Sequence, residues 1–212
     1  MIILSTAYLG NIQYYTKLLQ TAEPVAIEQH ENFVKQSFRS RCDILGANGP
    51  VSLSVPVYKT SGEKTPIREV RIDYSKAWQH QHWNSIHSAY KNSPYFDYFG
   101  ELFEPFYQKK TEFLWDLNAR MQETIFGILG ISPEFTYSEE YVRPTAEDKD
   151  FRNSLSPKPR LHQTDPAFTP ETYYQVFSER AAFVPNLSII DLIFCEGPQA
   201  AGILRRSISP AG

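Results

Sequence analysis

A run of four apolar residues, Met1-Ile2-Ile3-Leu4, opens the chain, and the period then changes. After Tyr8-Leu9-Gly10, residues Ile12, Tyr15, Leu18 and Leu19 recur at helical spacing, and Asn11 is placed to cap the helix they predict. Pro24 to Ile27 reads as a second short buried strand. Strand, glycine-bearing turn, helix and strand make a βαβ unit, which predicts a parallel sheet. The pattern next shifts to a period of two. Val51, Leu53, Val55 and Val57 alternate with polar residues and Pro56, after an Ala47-Asn48-Gly49 turn, and alternation returns around Val70 and Ile72. Pro56 puts its strand at an edge or a bulge. This stretch predicts an antiparallel hairpin or meander.

The second half is mainly helical. Trp78, His82, Ile86, Ala89 and Tyr90 share one helix face between Lys76 and Tyr90. Pro94 interrupts, and Tyr95 to Phe106 forms an aromatic-rich segment. Leu114, Leu117, Met121, Ile125 and Ile128 form the stripe of a helix that Gly130 stops. Phe135 to Ser138 can return a strand. Residues 144–170 begin at Pro144 and carry further prolines at 157, 159, 166 and 170 among many charges, the pattern of an exposed flexible loop or flap. Ser188 caps a buried helix that runs to Phe194, and Gln199 to Arg206 makes a last short one. The expectation is one α/β domain over 1–212, with a Rossmann-like βαβ start, an attached hairpin and a largely helical C-terminal half.

Composition narrows the function classes. A net charge of -3 with both signs spread along the chain leaves no basic stripe for a nucleic-acid backbone. No window reaches the roughly 18 apolar residues of a membrane span, and Met1 to Leu4 is too short for a secretory segment. A cytoplasmic protein with two free thiols, Cys42 and Cys195, is expected. The 14 Phe, 13 Tyr and 3 Trp fit either a Tyr/Phe-rich core and rim or an aromatic-lined ligand site.

Motifs for specific chemistry are few. His80 and His82 point to different sides of their helix, and His80 and His87 lie roughly 10 Å apart along it, so no histidine-bound metal is expected. GxGxxG, Walker A and Gly-x-Ser-x-Gly sequences are absent, and no cofactor is named by the sequence. Cys195 in an apolar helix beside Glu196 reads as a structural thiol. His82 reads as a satisfied core histidine or as a general base. Candidate substrate contacts are Tyr8 and Gln13 in the first βα turn. His30, Asn32 and Lys35 follow the second strand, where open α/β sheets bind ligands. Arg41, Tyr90, Tyr173, Gln175 and Asp191 complete the set.

Several segments occur together in one order: Lys35-Gln36-Ser37-Phe38-Arg39-Ser40-Arg41, Asn48-Gly49, Val55-Pro56-Val57, His82-Trp83 to Tyr90, Pro94-Tyr95-Phe96, and Phe183 to Leu192. In these the chain resembles the WbqC-like family, as a shortened branch of a Bacteroidetes type. Where that family begins with a His-Gln-Pro element, this chain has Ser5-Thr6-Ala7. The resemblance implies a setting in O-antigen and other surface-polysaccharide assembly. It implies a transferase of acyl, aminoacyl or glycosyl type acting on an activated sugar or nucleotide-linked precursor. On that reading His82 is the base, Lys35 and Arg41 supply positive charge, and the 144–170 loop closes over the site. The alternative is a non-catalytic binding or assembly module with a degenerate site.

Overall fold

The computed structural model describes residues 1–20, 22–58, 64–161, 163–180 and 182–209. The first half holds β1 (Ile2–Leu4), α1 (Ile12–Leu19), β2 (Val25–Ile27), β3 (Arg41–Gly46) and β4 (Gly49–Ser54). The second holds α2 (Trp78–Tyr90), α3 (Phe96–Gln108), α4 (Leu114–Leu129), β5 (Thr136–Tyr137), β6 (Lys149–Asp150), α5 (Ile189–Glu196) and α6 (Ala200–Arg206).

Four strands form a parallel sheet in the order β5-β2-β1-β6. β1 and β2 are buried throughout, as expected of apolar runs covered on both faces. From β1 the chain moves outward to β2 and β5, then returns to the opposite side of β1 with β6. This reversal is a topological switch point, the position at which open α/β sheets bind ligands beyond the strand C-termini. β3 and β4 form a separate antiparallel hairpin closed at Ala47-Asn48, with Gly46 opposite Gly49. Gly49 has φ of 112°, a conformation that an L side chain rarely adopts and that the turn requires.

The expected α/β architecture is present, with two local differences. The alternation around Val70 and Ile72 does not build a third hairpin strand. Ile67–Glu69 forms a 3₁₀ turn, and Ile72 makes only an isolated bridge to Val57. Residues 144–170, expected as a flap, contribute β6 to the sheet. The helices lie mainly in the C-terminal half. α5 is buried along nearly its whole length, and Phe194 on it meets Tyr90, Phe96 and Phe103 edge-on or tilted. No helix among the described residues is long and apolar enough to cross a membrane.

Candidate functional site

All four strands of the parallel sheet deliver polar groups to one end. Glu28 follows β2 directly and is fully buried. Its Oε1 accepts from Ser138 Oγ just past β5 (2.7 Å) and from His30 N (2.7 Å). Its Oε2 accepts from Val142 N (2.6 Å) and lies 3.5 Å from Arg152 Nη1. Arg152 in turn grips Asp150, at the end of β6, through Nε (2.9 Å) and Nη2 (2.8 Å). Ser5, just past β1, donates to the Arg152 carbonyl. Alongside runs a second pair, Arg39 forked onto Glu31 through Nε and Nη2, both residues buried. That fork leaves Nη1 outside it. The Arg152 fork holds the Asp150 carboxyl below the usual carboxylate range against its partial burial, and the Arg39 charge adds to the effect.

Ser5, Thr6, Asn11, Tyr14, Arg39 and Arg152 line a crevice of about 20 Å³ at the switch point. Two larger cavities flank it. One of about 280 Å³ shares Asn11, Phe38 and Leu155 with the crevice, and one of about 570 Å³ shares Phe151 with it. The segment from Asp150 to Asp165 lines both. It is fastened to α1 by Asp165, whose Oδ2 takes the buried Lys17 ammonium (2.6 Å) and Gln13 Nε2 (2.7 Å). Among the described non-glycine residues, Leu9, Gln36 and Asn186 have left-handed φ values of 46°, 56° and 58°. Each lies beside this region: Leu9 before the α1 turn, Gln36 two residues from Phe38, Asn186 in the wall of the 280 Å³ cavity. Such conformations cost of order 1–3 kcal/mol and concentrate at binding sites.

The start of α1 differs from a phosphate cradle. Ile12 N donates to Leu187 O (3.0 Å), Gln13 N to Asn186 Oδ1 (2.9 Å) and Tyr14 N to Asn11 Oδ1 (3.0 Å). The amides that face an anion in dinucleotide-binding folds are here taken by the protein itself. The positive charge at this end of the sheet comes from Arg39 and Arg152, which are themselves paired with Glu31, Glu28 and Asp150.

The residues expected from the sequence separate into three groups. Tyr8 and His82 meet in the core: Tyr8 Oη donates to His82 Nδ1 (2.9 Å) and also contacts Tyr107 Oη (2.9 Å). Burial pushes the His82 imidazole down to about 4, opposed by its bond to the Ser54 carbonyl, so the ring is neutral at neutral pH. Tyr90, Tyr173, Gln175 and Asp191 form a second buried network. Asp191 Oδ1 accepts from Tyr90 Oη (2.8 Å), and Oδ2 accepts from Tyr173 Oη (2.5 Å) and Gln175 Nε2 (3.0 Å). Burial pushes the Asp191 carboxyl up against the pull of these three donors. None of these six side chains lines the crevice or its two flanking cavities.

The third group is near the surface. His30 and Asn32 are exposed, with His30 Nε2 against the Ser138 carbonyl (3.1 Å). Lys35 borders a separate cavity of about 300 Å³ together with Tyr58, Glu69 and Arg71. The charges there are largely solvated, and Arg71 is already paired with Glu112. Arg41 starts β3 and donates across the hairpin to Ser54 Oγ (3.0 Å). Gln13 alone of the expected set reaches the cavities beside the crevice.

Glu28, Glu31, Arg39, Asp150 and Arg152 were not among the expected residues. Glu28 carries a readable signal, being the first charged residue after a buried strand. Asp150 and Arg152 carry none, because a two-residue charged strand has no apolar period. Burial raises the Cys42 and Cys195 thiols above their ordinary range. Among the described residues, no group of three or more His, Cys, Asp or Glu is placed to hold a metal ion.

Comparison with known proteins bears on this region. A family model described as the WbqC-like protein family matches residues 7–158, which begin past β1 and include Glu28, Glu31, Arg39, Asp150 and Arg152. The uncharacterized protein Rv1507c of Mycobacterium tuberculosis is 24% identical over 212 residues, covering 90% of this chain and 91% of its own length. No solved structure matches the chain.

Proposed function

This chain belongs to the WbqC-like protein family, and from that premise we propose that it is a transferase of surface-polysaccharide assembly acting in the cytoplasm on an activated sugar or nucleotide-linked precursor. One observation carries the proposal: the C-terminal ends of β5, β2, β1 and β6 converge on a buried charge network at the switch point, beneath a segment pinned by Asp165. Buried ion pairs contribute little stability that apolar side chains of similar volume would not match. Their position where such sheets bind ligands favours a role with substrate. The network supplies charge held at fixed positions by hydrogen bonds. Arg39 Nη1, outside its fork with Glu31, is the donor best placed to meet an anionic or developing oxyanionic oxygen.

The test is the melting temperature of the protein with a panel of nucleoside-diphosphate sugars and of acyl and aminoacyl donors. A substrate at about 100 times its dissociation constant should raise it by roughly 5–10 °C. If no member of the panel shifts it, the transferase reading fails. A second reading, a non-catalytic binding module, has one observation in its favour: Ser5-Thr6-Ala7 puts no imidazole at the end of β1, where the family resemblance calls for His-Gln-Pro. Substrate-dependent stabilisation without turnover in the presence of both donor and acceptor would support it.

A further inference from the structure

The 280 Å³ cavity beside the crevice has a lining chemistry of its own. Asn11, Gln13, Gln163 and Asn186 bring amides and Asp43 a carboxylate, with Phe38 as the aromatic wall. Among the described residues, no Lys, Arg or His lines it, so none of them offers an anionic group a counter-charge there. Its volume falls at the small end of ligand cavities.

The polar groups are preset. Asn11 Oδ1 is held by Tyr14 N, which leaves Nδ2 as the free donor. Asn186 Oδ1 accepts from Gln13 N, and its Nδ2 spends one hydrogen on Gln13 Oε1, leaving the other. Asp43 Oδ1 takes the Ser52 hydroxyl, leaving Oδ2 as an acceptor. Two donors and one acceptor of fixed orientation therefore stand around the cavity, already ordered before any ligand arrives.

Phe38 completes the pattern. It is half-buried, yet it belongs neither to the core cluster nor to the half-buried apolar residues packed against it. The ring forms part of the wall of both the crevice and this cavity. It is held there by the turn in which Gln36 is left-handed, and the Phe38 carbonyl accepts from Tyr8 N (2.9 Å). An aromatic residue lining one cavity with fixed amide and carboxylate groups matches a molecule with one C–H face and a rim of hydroxyls.

We propose that this cavity is a neutral saccharide subsite, in which Phe38 carries the C–H face of a sugar ring while Asn11, Asn186 and Asp43 bond its hydroxyls. It rests on the reading that the substrate is sugar-linked, and it places the sugar next to the Arg39 end of the crevice. The experiment is saturation-transfer difference NMR on the full chain with neutral hexoses and N-acetylhexosamines, each run on wild type, Phe38→Ser and Asp43→Asn. At least one sugar should bind wild type, lose its transfer signal in Phe38→Ser, and bind about tenfold more weakly to Asp43→Asn. Because Phe38 lies outside the core, Phe38→Ser should melt within about 2 °C of wild type, which separates lost binding from lost folding. Wild-type binding that Phe38→Ser leaves unchanged, or no binding by any neutral sugar, overturns the subsite. If neutral sugars fail while a nucleoside-diphosphate sugar still stabilises the protein through Arg39, the subsite falls and the transferase reading stands. If a neutral sugar binds at Phe38 while no activated donor stabilises the protein, the transferase reading falls and the subsite stands.

Discussion

Two regions of this molecule bury polar side chains, and they do so to opposite ends. Around His82 and Asp191, tyrosines, a glutamine, one imidazole and one carboxylate close on one another inside the helical half, away from the crevice. At the strand ends, two arginines and three carboxylates meet beside the crevice and its two flanking cavities. The two buried side-chain atoms without a hydrogen-bond partner among the described residues fall one in each region. Trp78 Nε1 lies in the ring edge-on to His82, and Asn118 Oδ1 belongs to the amide that donates to Thr6 and the Arg39 carbonyl. An unsatisfied atom therefore does not tell the regions apart. What does is formal charge next to open space.

The largest expected effect breaks the core network. Asp191→Ala strands the donors of Tyr90, Tyr173 and Gln175 in a dry interior, and should cost roughly 3–6 kcal/mol in urea unfolding. Ligand response should be unchanged in whatever fraction remains folded. The strand-end counterpart is a pair of variants. Arg39→Met alone leaves Glu31 charged and buried, and should cost about 3–5 kcal/mol by the same measurement. Adding Glu31→Leu should restore most of that stability, while donor-dependent stabilisation stays lost. Recovery of ligand response in the double variant would erase the distinction between the regions.

A smaller effect sharpens the comparison through pH. His82 titrates near 4 in the folded protein and near 6.5 when unfolded. Between those values the unfolded chain binds more protons, so stability falls as pH falls. Wild type should lose about 2 kcal/mol from pH 7 to pH 5 through this group, and His82→Gln should lack that component of the slope. The smallest effect lies outside both regions. Arg71 and Glu112 pair on the surface with 60% and 57% of their side chains exposed, and Glu112→Gln should change stability by less than about 0.5 kcal/mol.

The helices were legible because their signals are long and local. The stripe ending at Gly130, with φ of 60°, and the Asn11 cap on Tyr14 N both follow from the residues alone. The hairpin was legible from Asn48-Gly49 for the same reason. The strand-end site was not, since its members come from residues 28, 31, 39, 150 and 152, and only pairing in the sheet makes them neighbours. Lys149-Asp150 shows why: at the edge of a sheet, charged residues are a common choice and carry no apolar period. Near residue 188 the expectation was right about position and incomplete about cause. Ser188 precedes α5, but its hydroxyl donates to the Leu9 carbonyl (2.7 Å) and ties the helix start to the first βα turn.

The strand order also governs how the chain is made. Ser5 and Arg152, joined by a hydrogen bond, are 147 positions apart, and β1 has no β6 beside it until that distance has been synthesised. At typical translation rates of about 5–20 residues per second this leaves one edge of the innermost strand open for roughly 7–30 s on the ribosome. During that interval the apolar residues of β1 and β2 lack part of their cover, the kind of exposure that makes an incomplete chain prone to aggregate. Folding yield should therefore respond to translation speed across residues 28–149, read as the soluble fraction at constant expression.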